Sequence, residues 1–174
     1  MARALSRPDV VDAGLELAQE LGLEGVSIRG VAERLGVTPM ALYRYVRSKD
    51  DLLDGMADEL YAELRLPTEE EDWWEELRLL AHSTRRIVLA RPWAVPLFAR
   101  PVAGPHAEAL DDALRTLLRG AGFSRAAAAE LHHQLANIVF ALIAPELQGR
   151  RNRAAFERGL DLLRPGLEQR RAQQ

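Results

Sequence analysis

Apolar residues recur along nearly the whole chain at intervals of three and four, and no stretch alternates with period two for long enough to form a strand. Val10, Ala13, Leu17, Ala18 and Leu21 define the buried face of a first helix, opened by the capping sequence Ser6-Arg7-Pro8-Asp9 and stopped at Gly22. Ile28, Val31, Ala32 and Leu35 fall at i, i+3, i+4 and i+7 and predict a short second helix ended by Gly36. Thr38 caps a third, with Pro39 in its first turn and Leu42 and Val46 inward. Ser48-Lys49-Asp50-Asp51 is a second capping box, opening a helix through Leu52, Leu53, Met56, Leu60 and Leu64 that breaks at Leu66-Pro67-Thr68.

The same period continues to the C-terminal end. Glu69-Glu70-Glu71-Asp72 places carboxylates at the positive end of a helix that carries Trp74, Leu77, Leu80, Ala81, Thr84 and Val88 inward as far as Arg91-Pro92. Trp93 to Phe98 is a short apolar segment closed by Arg100-Pro101. Gly104-Pro105 starts a helix with Ala107, Leu110, Leu114, Leu117 and Leu118 inward. Ser124 caps the next, with Leu131, Leu135, Ile138, Val139 and Leu142 on one side and Pro145 as its end. Phe156, Leu160 and Leu163 mark a last helix that Pro165-Gly166 should end or kink. The expected fold is all-α, with about nine helices: a three-helix reader over 1–50, a connecting helix over 51–66 and a helical bundle over 67–174.

Two short helices joined by about three residues with a glycine in the turn form a helix-turn-helix, whose second helix enters the DNA major groove. Pro39, Met40, Ala41, Tyr43 and Arg44 lie on the side of that helix free to face outward. Charge agrees locally. The whole chain carries a net charge of −3 and an isoelectric point near 5.9, which argues against a generic polyanion binder. Within 26–49, however, Arg29, Arg34, Arg44, Arg47 and Lys49 oppose Glu33 alone, and Asp50, Asp51, Asp54, Asp58 and Glu59 then reverse the sign. A basic face confined to one module suits specific binding better than nonspecific coating.

The run Val31-Ala32, Leu35-Gly36-Val37, Ala41-Leu42-Tyr43, Tyr45-Val46, Lys49 and Leu52 resembles, without a gap, the N-terminal domain of TetR-type transcriptional regulators. The resemblance extends from residue 6 to about 60. It implies a dimeric DNA-binding repressor, and it implies roles position by position. Arg29 matches a position that reaches a base edge, where Arg paired with guanine is the commonest specific contact. Pro39, Met40 and Ala41 match the outward start of the recognition helix; without hydrogen-bonding side chains they read shape and thymine methyls. Tyr43 and Lys49 match phosphate contacts, to which Ser27, Thr38, Arg44 and Tyr45 add. Lys49, the one lysine in the sequence, stands at the family's lysine position.

Residues 65–145 resemble the tetracycline-repressor class of C-terminal domains through Trp74, the A-R-P-W of 90–93, the V-P-L-F-A-R-P of 95–101 and the G-P-H of 104–106. Where tetracycline-binding members carry a metal-ligating histidine this chain has Pro96, which cannot ligate, and Leu80 and Thr84 stand near drug-contacting positions. The resemblance therefore implies a small apolar or amphipathic effector other than magnesium–tetracycline. Trp74, Leu77, His82, Trp93, Phe98, His106 and either His133 or Asn137 are the expected pocket lining. Leu135, Val139, Leu142, Phe156, Leu160 and Leu163, on the two C-terminal helices, are the expected dimer contacts of a four-helix bundle, with Phe140, Ile143 and Leu147 widening the apolar face. Two readers spaced by one helical turn, roughly 34–36 Å, address a palindrome.

Other chemistries find little support. Glu130-Leu131-His132-His133 contains the Glu-x-x-His spacing of half a di-iron site, without a second copy. No zinc pattern, nucleophile elbow, Walker motif or dinucleotide fingerprint occurs, so neither an enzyme nor a cofactor is expected. Cysteine is absent, there is no apolar run of membrane-spanning length, and the N-terminus lacks a signal-peptide core; a cytoplasmic location is expected. The principal alternative is a helix-turn-helix regulator without a small-molecule effector, or one whose bundle binds a protein partner.

Overall fold

The computed structural model describes residues 4–68, 72–101, 104–150 and 152–173, with the His133 side chain left aside. Among the described residues the chain is all-α. Ten α-helices run in order: α1 Arg7–Leu21, α2 Ile28–Leu35, α3 Pro39–Leu42, α4 Lys49–Ala62, α5 Trp73–Ala90, α6 Val95–Phe98, α7 Pro105–Gly120, α8 Arg125–Leu147, α9 Arg153–Asp161 and α10 Leu163–Ala172. Two short 3-10 turns, Leu23–Gly25 and Pro92–Ala94, lie between them. The chain forms two compact units, one reaching to Ala62 and including Arg91–His106, the other formed by Glu63–Ala90 and the residues from Ala107 onward. Helix α4 thus belongs whole to the first unit, as do residues 91–106, whereas residues 63–66 of the expected connecting segment fall in the second.

In the first unit α1 starts on a complete capping box: Ser6 Oγ accepts from the Asp9 amide at 3.4 Å, and Asp9 Oδ2 accepts from the Ser6 amide at 2.8 Å. Val10, Val11, Ala13, Leu17 and Ala18 are buried. Leu21, expected on that face, is instead 63% exposed, because α1 ends at this residue. Gly22 then turns with φ of 75°, a conformation other residues rarely adopt. Helices α1 and α4 cross closely at two glycines: a Cβ on Gly14 would meet Met56 Sδ at 2.9 Å, and one on Gly55 would meet Val11 Cγ2 at 2.8 Å.

In the second unit Trp74, Leu77, Ala81, Ile87 and Val88 of α5 pack in a core with Leu110, Leu114, Leu117, Leu118, Phe123, Leu131, Ile143 and Phe156. Glu69–Glu71 lie outside the described residues, but Asp72 acts as expected of a helix start, accepting from the Trp74 amide at 3.3 Å. Pro145 does not end α8. The helix continues to Leu147, because a proline in the last turn removes a single hydrogen bond near an end that is already open. The last helical segment is two helices, broken at Leu162 rather than at Pro165. Pro165 has no N–H for the Asp161 carbonyl and its ring crowds that group, so α9 stops there and Pro165 sits in the first turn of α10. No helix of the described residues is long and apolar enough to cross a membrane.

Candidate nucleic-acid interface

The reader is built from α1 to the start of α4. Ser27 Oγ accepts from the Gly30 amide at 3.0 Å and opens α2; Gly36, left-handed at φ 66°, closes it. Thr38 Oγ1 accepts from the Ala41 amide at 3.4 Å and opens α3. Both hydroxyls keep their hydrogen free to donate. Regular helix in α3 ends earlier than the apolar pattern implies, at Leu42, whose carbonyl accepts from both Tyr45 (2.8 Å) and Val46 (3.0 Å) and so tightens the last turn. Val26, Val31, Ala32, Leu42 and Val46 nevertheless have no exposed surface. Behind the reading surface lies a continuous apolar core.

Ser27, Arg29, Thr38, Pro39, Met40, Tyr43, Arg44 and Lys49 are exposed, while Ala41 and Tyr45 are half-buried. Met40, 75% exposed, projects most of its side chain into solvent at the start of α3. The charge is more selective than the sequence implies. Arg34 turns back onto α1, donating to Glu16 at 3.2 Å and to Glu20, and these carboxylates raise its pKa. Arg29 pairs with Glu33 at 2.9 Å along α2, an exposed and therefore exchangeable contact. Arg44, Arg47 and Lys49 are exposed and have no ion pair among the described residues, although the Arg47 charge also helps to lower the pKa of Asp51; the cations available to a partner thus lie between α3 and the start of α4.

A link that the sequence did not disclose joins the start of α1 to this region. Arg7 Nη1 donates to the Tyr45 carbonyl at 2.7 Å and Nη2 to Asp51 Oδ1 at 2.7 Å. Asp51 also modifies the predicted capping box: its amide donates to Ser48 Oγ at 3.1 Å, but its Oδ2 accepts from the Arg47 amide, at 2.7 Å, instead of from Ser48.

The expected pocket residues have separate local partners. Trp74 and Leu77 are core, at 3% and 8% exposure. His82 packs edge-on against Phe156 and pairs with Glu157 at 3.2 Å. In the other unit Trp93 donates to Gln19 Oε1 at 3.1 Å and Phe98 packs on Tyr61. The His106 amide and Nδ1 meet the two Asp58 carboxylate oxygens at 3.1 and 3.0 Å, next to the Arg100 contacts with Asp50 and Asp54. Asn137 is exposed on α8, and His133 has no described side chain. Glu130, considered for a metal, accepts from Gln134 at 2.7 Å and from Arg170. A groove of about 860 Å³ between α7 and α8 is lined by Asp112, Arg115, Thr116, Arg119, Gly120, Arg125, Ala128 and Ala129, none of them an expected pocket residue.

The expected dimer residues divide. Phe156 and Leu160, at 1% and 3% exposure, are consumed by the chain's own core, as is Ile143; their burial leaves no surface for a partner. Leu135, Val139, Leu142 and Leu163 are half-buried. From 134 to 142 α8 has no fully buried side chain, although Leu135, Ile138, Val139 and Leu142 form an i, i+3, i+4, i+7 stripe.

Residues 10–56 match the family model of bacterial regulatory proteins of the tetR family, and residues 66–164 match the tetracyclin repressor-like C-terminal domain. An HTH-type transcriptional regulator of Saccharopolyspora erythraea is 34% identical over 144 residues, 82% of this chain; the chain spans 61% of that relative's length. A TetR variant from Acinetobacter baumannii AYE, solved in complex with minocycline, superposes with a TM-score of 0.83 at 30% identity, covering 97% of this chain and 99% of the other. BioQ, solved with its natural double-stranded DNA operator, gives 0.77 at 28% identity over 94% and 98% of the two chains. With both its segments matched and its exposed helix-turn-helix in place, the chain belongs to the TetR family of DNA-binding transcriptional regulators.

Proposed function

We propose that the chain is a homodimeric repressor that reads a palindromic operator and is released from it by a small apolar or amphipathic effector. The observation that carries the reading is the exposed cationic group Arg44, Arg47 and Lys49, without an ion pair among the described residues, beside the solvent-facing start of α3. In this reading Arg29 exchanges Glu33 for a base edge, and Pro39, Met40 and Ala41 contact thymine methyls and groove shape. Tyr43, Lys49, Ser27, Thr38, Arg44 and Tyr45 hold the phosphates and set register. The half-buried apolar stripe of α8 supports pairing with a second copy, joined by Leu163; the operator-bound BioQ structure supports the DNA target.

An effector acts by binding two states of the dimer unequally, with α4 as the lever that carries the change to the reader. The minocycline-bound neighbour supports a small-molecule ligand, while Pro96 argues against the magnesium–tetracycline mode. The second reading, a regulator with no small-molecule effector, draws on the local partners that occupy the expected pocket residues. Selection from a random duplex library tests the principal reading. Enrichment of a palindrome with half-sites one turn apart supports it, and enrichment of single half-sites or of nothing at low salt refutes it.

A further inference from the structure

We infer that Arg7 and Asp51 form a clamp that positions the reading segment for DNA, an inference that rests on the operator-reading function proposed above. Arg7, the first residue of α1, binds groups 38 and 44 residues away. Its Nη1 donates to the Tyr45 carbonyl at 2.7 Å, which α3 leaves without a helical partner. Its Nη2 donates to Asp51 Oδ1 at 2.7 Å and to the Asp51 carbonyl at 3.3 Å. Asp51 then holds the Arg47 amide at 2.7 Å through Oδ2 and donates its own amide to Ser48 Oγ at 3.1 Å. The result ties the start of α1 to both ends of the turn between α3 and α4. That turn carries Arg44 and Arg47 and leads into Lys49.

The exposure of the pair separates positioning from stability. Arg7 and Asp51 side chains are 44% and 27% exposed, and an ion pair this open adds little to the fold. What it supplies is geometry. A planar guanidinium donates from two nitrogens at once to a carbonyl and a carboxylate, which the single ammonium of lysine cannot reproduce. Neither residue needs to touch DNA for this; they act through the backbone that presents Arg44, Arg47 and Lys49.

Electrostatics alone predicts the opposite outcome for one substitution, and this makes the inference decidable. Asp51 is a negative charge inside a module that binds a polyanion, so removing it should tighten binding if charge is all that matters. If the clamp matters, removing it weakens binding. The experiment measures operator affinity across a salt series for the full chain, using a duplex recovered by selection, with Asp51→Asn, Arg7→Gln, Arg7→Lys and the double variant Asp51→Asn/Arg7→Gln.

The clamp predicts that each single change weakens binding about tenfold with an unchanged salt slope. It also predicts that Arg7→Lys does not restore affinity and that the double variant is no weaker than the worse single. Tighter binding by Asp51→Asn overturns the inference. So does a slope reduced by about 0.9 in Arg7→Gln and recovered in Arg7→Lys, which would mark a direct phosphate contact. Thermal unfolding is followed in parallel; should Asp51→Asn fail to fold, the contrast between Arg7→Gln and Arg7→Lys decides alone. If the unsubstituted chain binds no duplex, operator reading itself fails and the clamp with it, an outcome distinct from binding that is indifferent to Arg7 and Asp51.

Discussion

Glu76 has no exposed surface and accepts both arms of the Arg65 guanidinium, Nη1 at 2.5 Å and Nη2 at 3.1 Å. The Thr68 amide and hydroxyl add a contact of 3.0 Å each, and the Arg65 amide reaches Ser83 Oγ at 3.2 Å. The segment from 65 to 68 is therefore fastened to α5 through the Glu76 carboxylate and the Ser83 hydroxyl. These donors, the Arg65 guanidinium foremost, hold the Glu76 carboxyl down at about 2 against an ordinary 4.5.

The first prediction follows from that depression. A carboxyl with a lowered folded pKa stabilises fully above its unfolded value and loses the contribution as pH falls through the folded one. Denaturant midpoints should decline between pH 4.5 and about 2, and Glu76→Gln should flatten part of that decline. At pH 7 the same substitution should cost about 3 kcal/mol, because it breaks a buried pair and leaves donors unsatisfied. Chemical denaturation of both proteins at pH 7, at pH 4.5 and near pH 2 checks both.

A second prediction concerns α8. Val139 lies in the half-buried stripe with Leu135, Ile138 and Leu142. Val139→Glu should convert the protein to monomers while leaving helix content unchanged, since the buried core is elsewhere. Sedimentation and circular dichroism read the two effects separately, and operator affinity should fall with the dimer.

Much of this architecture was legible in the sequence, and the failures have a common cause. Gly22, Gly36, Thr38 and Ser124 mark element ends because caps and left-handed turns are local chemistry, satisfied within a few residues. Val31, Ala32, Leu42 and Val46 follow from the helical period. What escaped depends on distant partners. Glu76 follows Glu75 in the first turn of α5, where a carboxylate looks solvated until Arg65 and Thr68 fold over it, and Arg7 finds Tyr45 and Asp51 across 38 and 44 residues. Phe156 and Leu160 carry the same apolar signal whether they face a partner or their own core.

The third prediction separates two kinds of DNA contact. Lys49→Ala should weaken binding to all duplexes alike and lower the salt slope by about one, as loss of a phosphate contact does. Arg29→Ala should relax preference at one base position at a cost of about 1–3 kcal/mol on the preferred sequence. Competition binding against single-position variants of the operator measures both; equal effects on every sequence would refute the division.

A fourth prediction addresses the α1–α4 crossing. Alanine is a better helix former than glycine by about 1 kcal/mol, yet its Cβ at position 55 meets Val11 Cγ2 at 2.8 Å. Val11 is β-branched and 3% exposed, so it has little room to turn away. Overpacking of about 1–3 kcal/mol should outweigh the propensity gain, and Gly55→Ala should lower the midpoint of thermal unfolding.

The central claim is that two copies of this chain read one duplex. Its most direct test is the stoichiometry and affinity of the purified protein on the selected duplex, compared with the same duplex lacking one half-site. The account predicts two chains bound to the full site and at least a hundredfold weaker binding when a half-site is removed, about 2.7 kcal/mol. One chain bound with equal affinity to both duplexes would contradict it.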